Sequence, residues 1–96
     1  MSLKTKQRSR MTIVSDILST ARNGARRTQI MHAVFLSFDQ LNRYMSLLVD
    51  RGLMEKEAQI IYDHSVVTYK TTELGRQFLD RYSQLQDILL LSEIGA

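Results

Sequence analysis

The chain has 96 residues, 44% of them hydrophobic and 24% charged, the size and balance of one soluble globular domain rather than a disordered segment. It has no cysteine, which excludes disulfides, thiolate metal sites and cysteine nucleophiles, and no apolar run approaches membrane-spanning length. The net charge of +3 is uneven: residues 1–30 carry seven basic side chains against Asp16 alone, for +6, whereas residues 31–96 carry six basic and nine acidic ones, for −3.

A basic head on a mildly acidic body suits a polyanion partner reached through the N-terminal third, or else is an ordinary solvated terminus. Residues 1–8, basic and without pattern, read as a flexible arm. From about Ser9, Val14, Ile17, Leu18 and Ala21 follow the i, i+3, i+4, i+7 spacing of an amphipathic helix, which Gly24 is suited to end in a left-handed position. A second, short helix is expected from Thr28, with its hydroxyl as the cap and with Ile30, Met31, Ala33 and Val34 buried.

The third helix has the clearest start. Ser37 and Gln40 form an S-x-x-Q capping box, and Leu36 and Leu41 stand where a hydrophobic staple would place them. Leu41, Tyr44, Met45 and Leu48 form its inner stripe, and Arg51-Gly52 closes it. Leu53 to Ile61 and Val66 to Thr71 then read as two strands, with Tyr62-Asp63-His64-Ser65 as the turn. Thr71 or Thr72 caps a last helix that runs to about Glu93.

The order is α-α-α-β-β-α, a mainly α chain with one β-hairpin (α+β). Three helices and a hairpin make a winged helix-turn-helix, in which the third helix enters the major groove and the hairpin flanks it. The boundaries expected are an arm over residues 1–8, a winged-helix domain over 9–71 and a C-terminal helix over 72–96.

The stretches "RSRMTIVSDIL", "ARNGARRTQIMHAVFLSFDQLNRYMSLLVDRGL" and "YKTTELGRQFLDRY" resemble the small archaeal winged-helix predicted transcriptional regulators. That group is similar to crenarchaeal chromatin proteins that dimerise through a C-terminal coiled-coil helix. The resemblance spans about residues 8 to 90 and rests on three motifs. They are the NGA-x-x-T-x-IM turn, the LS-x-x-QL-x-x-Y helix start and the TT-E-x-G-x-x-FL opening of the last helix. It implies a winged helix, a homodimer and binding to double-stranded DNA, and so a cytoplasmic, nucleoid-associated regulator or chromatin protein. His32 departs from it, standing where these proteins often have an aromatic residue.

The outer face of the third helix carries Asp39, Gln40, Asn42, Arg43, Ser46 and Asp50. Arginine pairs bidentately with guanine, and asparagine or glutamine with adenine, so Arg43, Asn42 and Gln40 are candidate base readers, with Ser37 and Ser46 beside them. The carboxylates of Asp39 and Asp50 fit an ordinary solvated face instead. Arg26, Arg27, Thr28 and Gln29 open the second helix, where backbone amides and the helix dipole favour a phosphate. His64, at the hairpin tip, completes the candidate DNA contacts.

Phe78, Tyr82, Leu85 and Leu89 are spaced four, three and four apart on the last helix, with Leu79, Ile88, Leu90 and Leu91 on a second flank. A helix of ~20 residues spans ~30 Å, longer than the body it could cover, so Phe78, Tyr82, Leu85, Ile88 and Leu89 are candidates for a dimer interface. The two histidines lack a third ligand at metal-site spacing, and no phosphate loop, nucleophile elbow or paired-carboxylate motif is present. No metal, cofactor or enzymatic activity is expected. A winged-helix protein–protein adaptor without DNA binding, and an RNA-binding module, are the other readings of the same features.

Overall fold

The computed structural model describes residues 9–95, and the expected arm over 1–8 lies outside them. The order is α1 (Arg10–Thr20), α2 (Arg27–Val34), α3 (Phe38–Asp50), β1 (Met54–Ile61), β2 (His64–Thr71) and α4 (Glu73–Gly95). Each helix start has a local cause. The Ser9 hydroxyl accepts the Thr12 N–H at 3.1 Å and opens α1. At α3 the expected box is complete: the Gln40 N–H donates to Ser37 Oγ at 3.2 Å, and the Ser37 N–H donates to Gln40 Oε1 at 3.1 Å. Leu36 and Leu41 are both buried on either side of it.

α2 starts differently from the expectation. Its cap is Arg26, not Thr28, and the Arg26 N–H donates to Gln29 Oε1 at 2.7 Å. Arginine has no acceptor to return that bond, so the box is filled from inside the helix only. Ile30 and Val34 enter the core and Met31 is half-buried, but Ala33 is exposed. Phe35 then turns the chain in a left-handed conformation (φ 58°).

The hairpin is antiparallel, in register from Met54 opposite Thr71 to Ile61 opposite His64. Its loop is Tyr62-Asp63, shorter than the four-residue turn expected, and both residues have positive φ (50° and 64°), the signature of a type I′ turn. His64 and Ser65 therefore belong to β2. A further antiparallel bridge ties the α1–α2 loop to the sheet: the Ala25 N–H donates to the Tyr69 carbonyl at 2.9 Å and the Tyr69 N–H to the Ala25 carbonyl at 2.8 Å. The buried Thr71 hydroxyl donates to the Leu18 carbonyl at 2.7 Å.

It is Thr72 that caps α4, accepting the Gly75 N–H at 3.1 Å. At Gly75 α4 passes close against the body, since a β-carbon there would lie 2.3 Å from the Leu53 carbonyl oxygen. One core unites Ile17, Leu18, Ile30, Leu41, Met45, Leu48, Met54 and Tyr69 with Leu79 of α4, so the first turns of α4 are part of the globular body. No helix among the described residues is long and apolar enough to cross a membrane.

Candidate nucleic-acid interface

Burying Leu41, Met45 and Leu48 turns the opposite side of α3 to solvent. That exposed ridge carries Asp39, Arg43, Ser46, Leu47 and Asp50, with Gln40 beside it. Arg43 is near its middle. The two candidate contacts from the helix start have local duties as well, because Ser37 Oγ and Gln40 Oε1 are the acceptors of the capping box.

A hollow lies on each flank of the ridge. One, of about 290 Å³, is lined by Arg10, Gln40, Arg43, Tyr44 and Leu47. Arg10 is the first residue of α1, and the tertiary fold places it in the lining of the same hollow as Arg43. Nothing in the local sequence signals that pairing, which depends on a contact between residues 33 positions apart. The other hollow, of about 310 Å³, lies between α3 and the hairpin and includes Arg27, Asn42, Ser46, Asp50, Lys56 and Tyr69. Lys56 pairs with Tyr69 across the strands and shares its face of the sheet. A basic residue thus stands on either flank of α3.

Asn42 does not stand on the outer ridge. It is half-buried, and its side-chain oxygen accepts a hydrogen bond from Arg27 Nη1. The same guanidinium donates from Nη2 to Tyr69 Oη at 2.8 Å and lies 5.3 Å from the centre of that ring, in cation–π range. Arg27 is accordingly half-buried, whereas Arg26 and Thr28 are exposed beside Gln29, whose side chain closes the α2 cap. His64, paired with Ile61, is exposed next to the turn. Among the described residues no three acidic or histidine side chains gather as a metal site.

The dimer candidates divide along α4. Phe78 and Tyr82 stack on each other (6.1 Å between centroids, 14° between planes) and are half-buried, and Tyr82 Oη is 3.1 Å from Thr12 Oγ1 of α1. Leu85, Ile88 and Leu89 are 61–64% exposed, as is Leu90 at 55%. Leu91 lies outside the residues whose side chains are described. A shallow apolar groove of about 280 Å³, lined by Met11, Leu53, Leu74, Phe78, Tyr82 and Leu85, runs into that exposed stripe.

Three helices, a hairpin stitched back to the first helix–helix loop, and an exposed third helix define a winged helix. The chain belongs to the winged helix-turn-helix family, whose model matches residues 7–90. No curated protein sequence matches it. Among solved structures it is similar to Sso10a-2, a DNA-binding protein from Sulfolobus solfataricus, at 19% identity and a TM-score of 0.71, covering 92% of each chain. It is also similar to a PadR-family transcriptional regulator from Eggerthella lenta, at 24% identity and a TM-score of 0.70, covering 90% of this chain and 80% of the other. At these identities the likeness is one of fold.

Proposed function

We propose that the chain binds double-stranded DNA as a homodimer and acts as a transcriptional regulator or nucleoid-associated protein, not as an enzyme. The observation that carries this is the exposed ridge of α3 with Arg43 at its middle, Arg10 on one flank and Lys56 on the other. A helix laid in the major groove has a phosphate strand on each side, and cations on both flanks match that arrangement. Arg43 is the base reader in this reading, with Ser46 beside it, while Arg10, Arg26 and Thr28 hold phosphates. Asp39 and Asp50 then face the groove floor, where a carboxylate can accept from cytosine. The description of Sso10a-2 as DNA-binding supports the same assignment.

Dimerisation is proposed through α4, whose leucines beyond Tyr82 would otherwise stay in water. Paired heads would read half-sites about 34 Å apart or a multiple of that.

One observation favours the adaptor reading. The hairpin carries Glu55, Glu57 and Asp63 against Lys56 and Lys70, and its tip exposes Ile60 (80%) and Tyr62 (92%), a surface better suited to a protein than to phosphates. Duplex binding titrated against salt separates the two. A DNA-binding protein with several phosphate contacts gives a steep linear fall of log affinity with log salt. An adaptor gives weak binding without that slope, and this result would overturn the proposal.

A further inference from the structure

We infer that Arg27 is a positioning residue, whose guanidinium, held between Asn42 of α3 and Tyr69 of β2, sets the angle of the motif helix to the wing and thereby the discrimination between DNA sequences. This rests on the DNA-binding reading above and goes further, by separating Arg27 from its exposed neighbour Arg26.

The geometry is that of a three-element joint. Ala25, two residues before Arg27, is bonded through both its N–H and its carbonyl to the backbone of Tyr69. The start of α2 is therefore already fixed to β2 when the Arg27 side chain reaches back to the phenol of that same residue at 2.8 Å. Tyr69 is only 4% exposed, so the anchor is itself held by the core. From this anchored guanidinium the second bond goes to Asn42, in the N-terminal half of α3. Among the described residues it is the only side-chain hydrogen bond from α3 to another element.

Arginine suits this post for a specific reason. Its planar fork meets two acceptors on different elements at once, with its central carbon 5.3 Å from the centre of the Tyr69 ring; a lysine ammonium brings the same charge but no fork. A phosphate clamp needs the charge and little else. The two roles therefore make opposite predictions for variants that keep the charge.

The test uses the full-length protein, a duplex selected by the wild type from a random library, and the unselected library. Two variants are compared, each confirmed folded by circular dichroism well below its melting temperature. Arg27→Lys keeps the charge and loses the fork; Tyr69→Phe removes only the oxygen that accepts from Arg27, on a side chain 4% exposed. The expected result is that each lowers the ratio of selected to unselected affinity by about tenfold, the scale of one lost base contact. Each should also leave the log–log salt slope unchanged, because no phosphate contact is removed. If either variant retains the wild-type ratio, the positioning role is overturned; if Arg27→Lys is silent, the clamp reading takes its place. A wild type that binds duplex with a steep slope but with a ratio of one overturns this inference alone. A wild type with no duplex affinity overturns it together with the DNA-binding reading.

Discussion

The exposed end of α4 allows a quantitative prediction about assembly. Leu85, Ile88, Leu89 and Leu90 are each 55–64% exposed, and fully burying such a side chain is worth about 1.5–3 kcal/mol. A partner helix that covers the exposed part gains about 1–2 kcal/mol per residue, so four residues from each of two subunits contribute about 8–16 kcal/mol before costs. Association itself costs about 4–15 kcal/mol; against a cost near the lower end, the mid-range gain of about 12 kcal/mol leaves about 8 kcal/mol, a micromolar dimer. Replacing Leu85 and Leu89 with lysine removes about half of the gain and places four charges in the interface. Losing about 4–8 kcal/mol weakens the dimer by about three to six orders of magnitude. Sedimentation at low to high micromolar concentration should show a wild-type dimer and a double-variant monomer. Circular dichroism and melting should stay near wild type, because the core contact of α4 is Leu79, one turn or more before the substitutions. A wild type that sediments as a monomer at high micromolar concentration refutes the reasoning. So does a double variant that loses its fold, since the leucines would then belong to the head's own core.

Three further outcomes are expected. Arg43→Ala should cost about 1–3 kcal/mol on a selected duplex and much less on random duplex, measured by anisotropy; equal losses would make Arg43 a phosphate contact. Arg10→Ala combined with Arg26→Ala should weaken binding to all sequences alike and reduce the log–log salt slope by about two units, and an unchanged slope would return both to the solvated surface. Gly75→Ala should lower stability by about 1–3 kcal/mol in urea unfolding. Alanine is the better helix former, by about 1 kcal/mol, so a gain in stability would mean that the approach of Gly75 to the Leu53 carbonyl is easily relaxed.

What was legible in the sequence was chiefly what is local. The Ser37–Gln40 box and the Arg51-Gly52 stop lie within a few residues of the groups they bond, and both stand in the structure as read. The start of α2 departs from residue type, because Thr28 is the better cap by type, whereas the bond made runs from the Arg26 N–H to Gln29 Oε1. The hairpin loop is shorter than its residue types indicate for a similar reason. Tyr62-Asp63 lacks the glycine or asparagine that marks a type I′ turn, and eight paired positions hold it in positive φ regardless. The site was less legible than the fold. Asn42 is expected on the outer face, but at about 100° per residue it lies about 90° from the buried stripe, on the flank of α3, where its partner Arg27 comes from another element. Arg10 beside Arg43, and Tyr69 bridged to Ala25, exist only once α1 and β2 have packed.

A single residue, Thr72, separates the hairpin from α4. Its N–H donates to the Leu53 carbonyl at 3.0 Å and its hydroxyl to the Gly52 carbonyl at 2.6 Å, so the root of α4 is tied to the residues that end α3. There is no slack here in which a hinge could form. In a dimer built on α4, each head is a rigid extension of the shared axis, and the spacing between the two motif helices is a constant of the protein. A duplex whose half-sites are slightly misplaced must then be bent or twisted to fit. The energy of that distortion falls on the nucleic acid, and stiff and pliant sequences would be told apart at positions that no side chain touches.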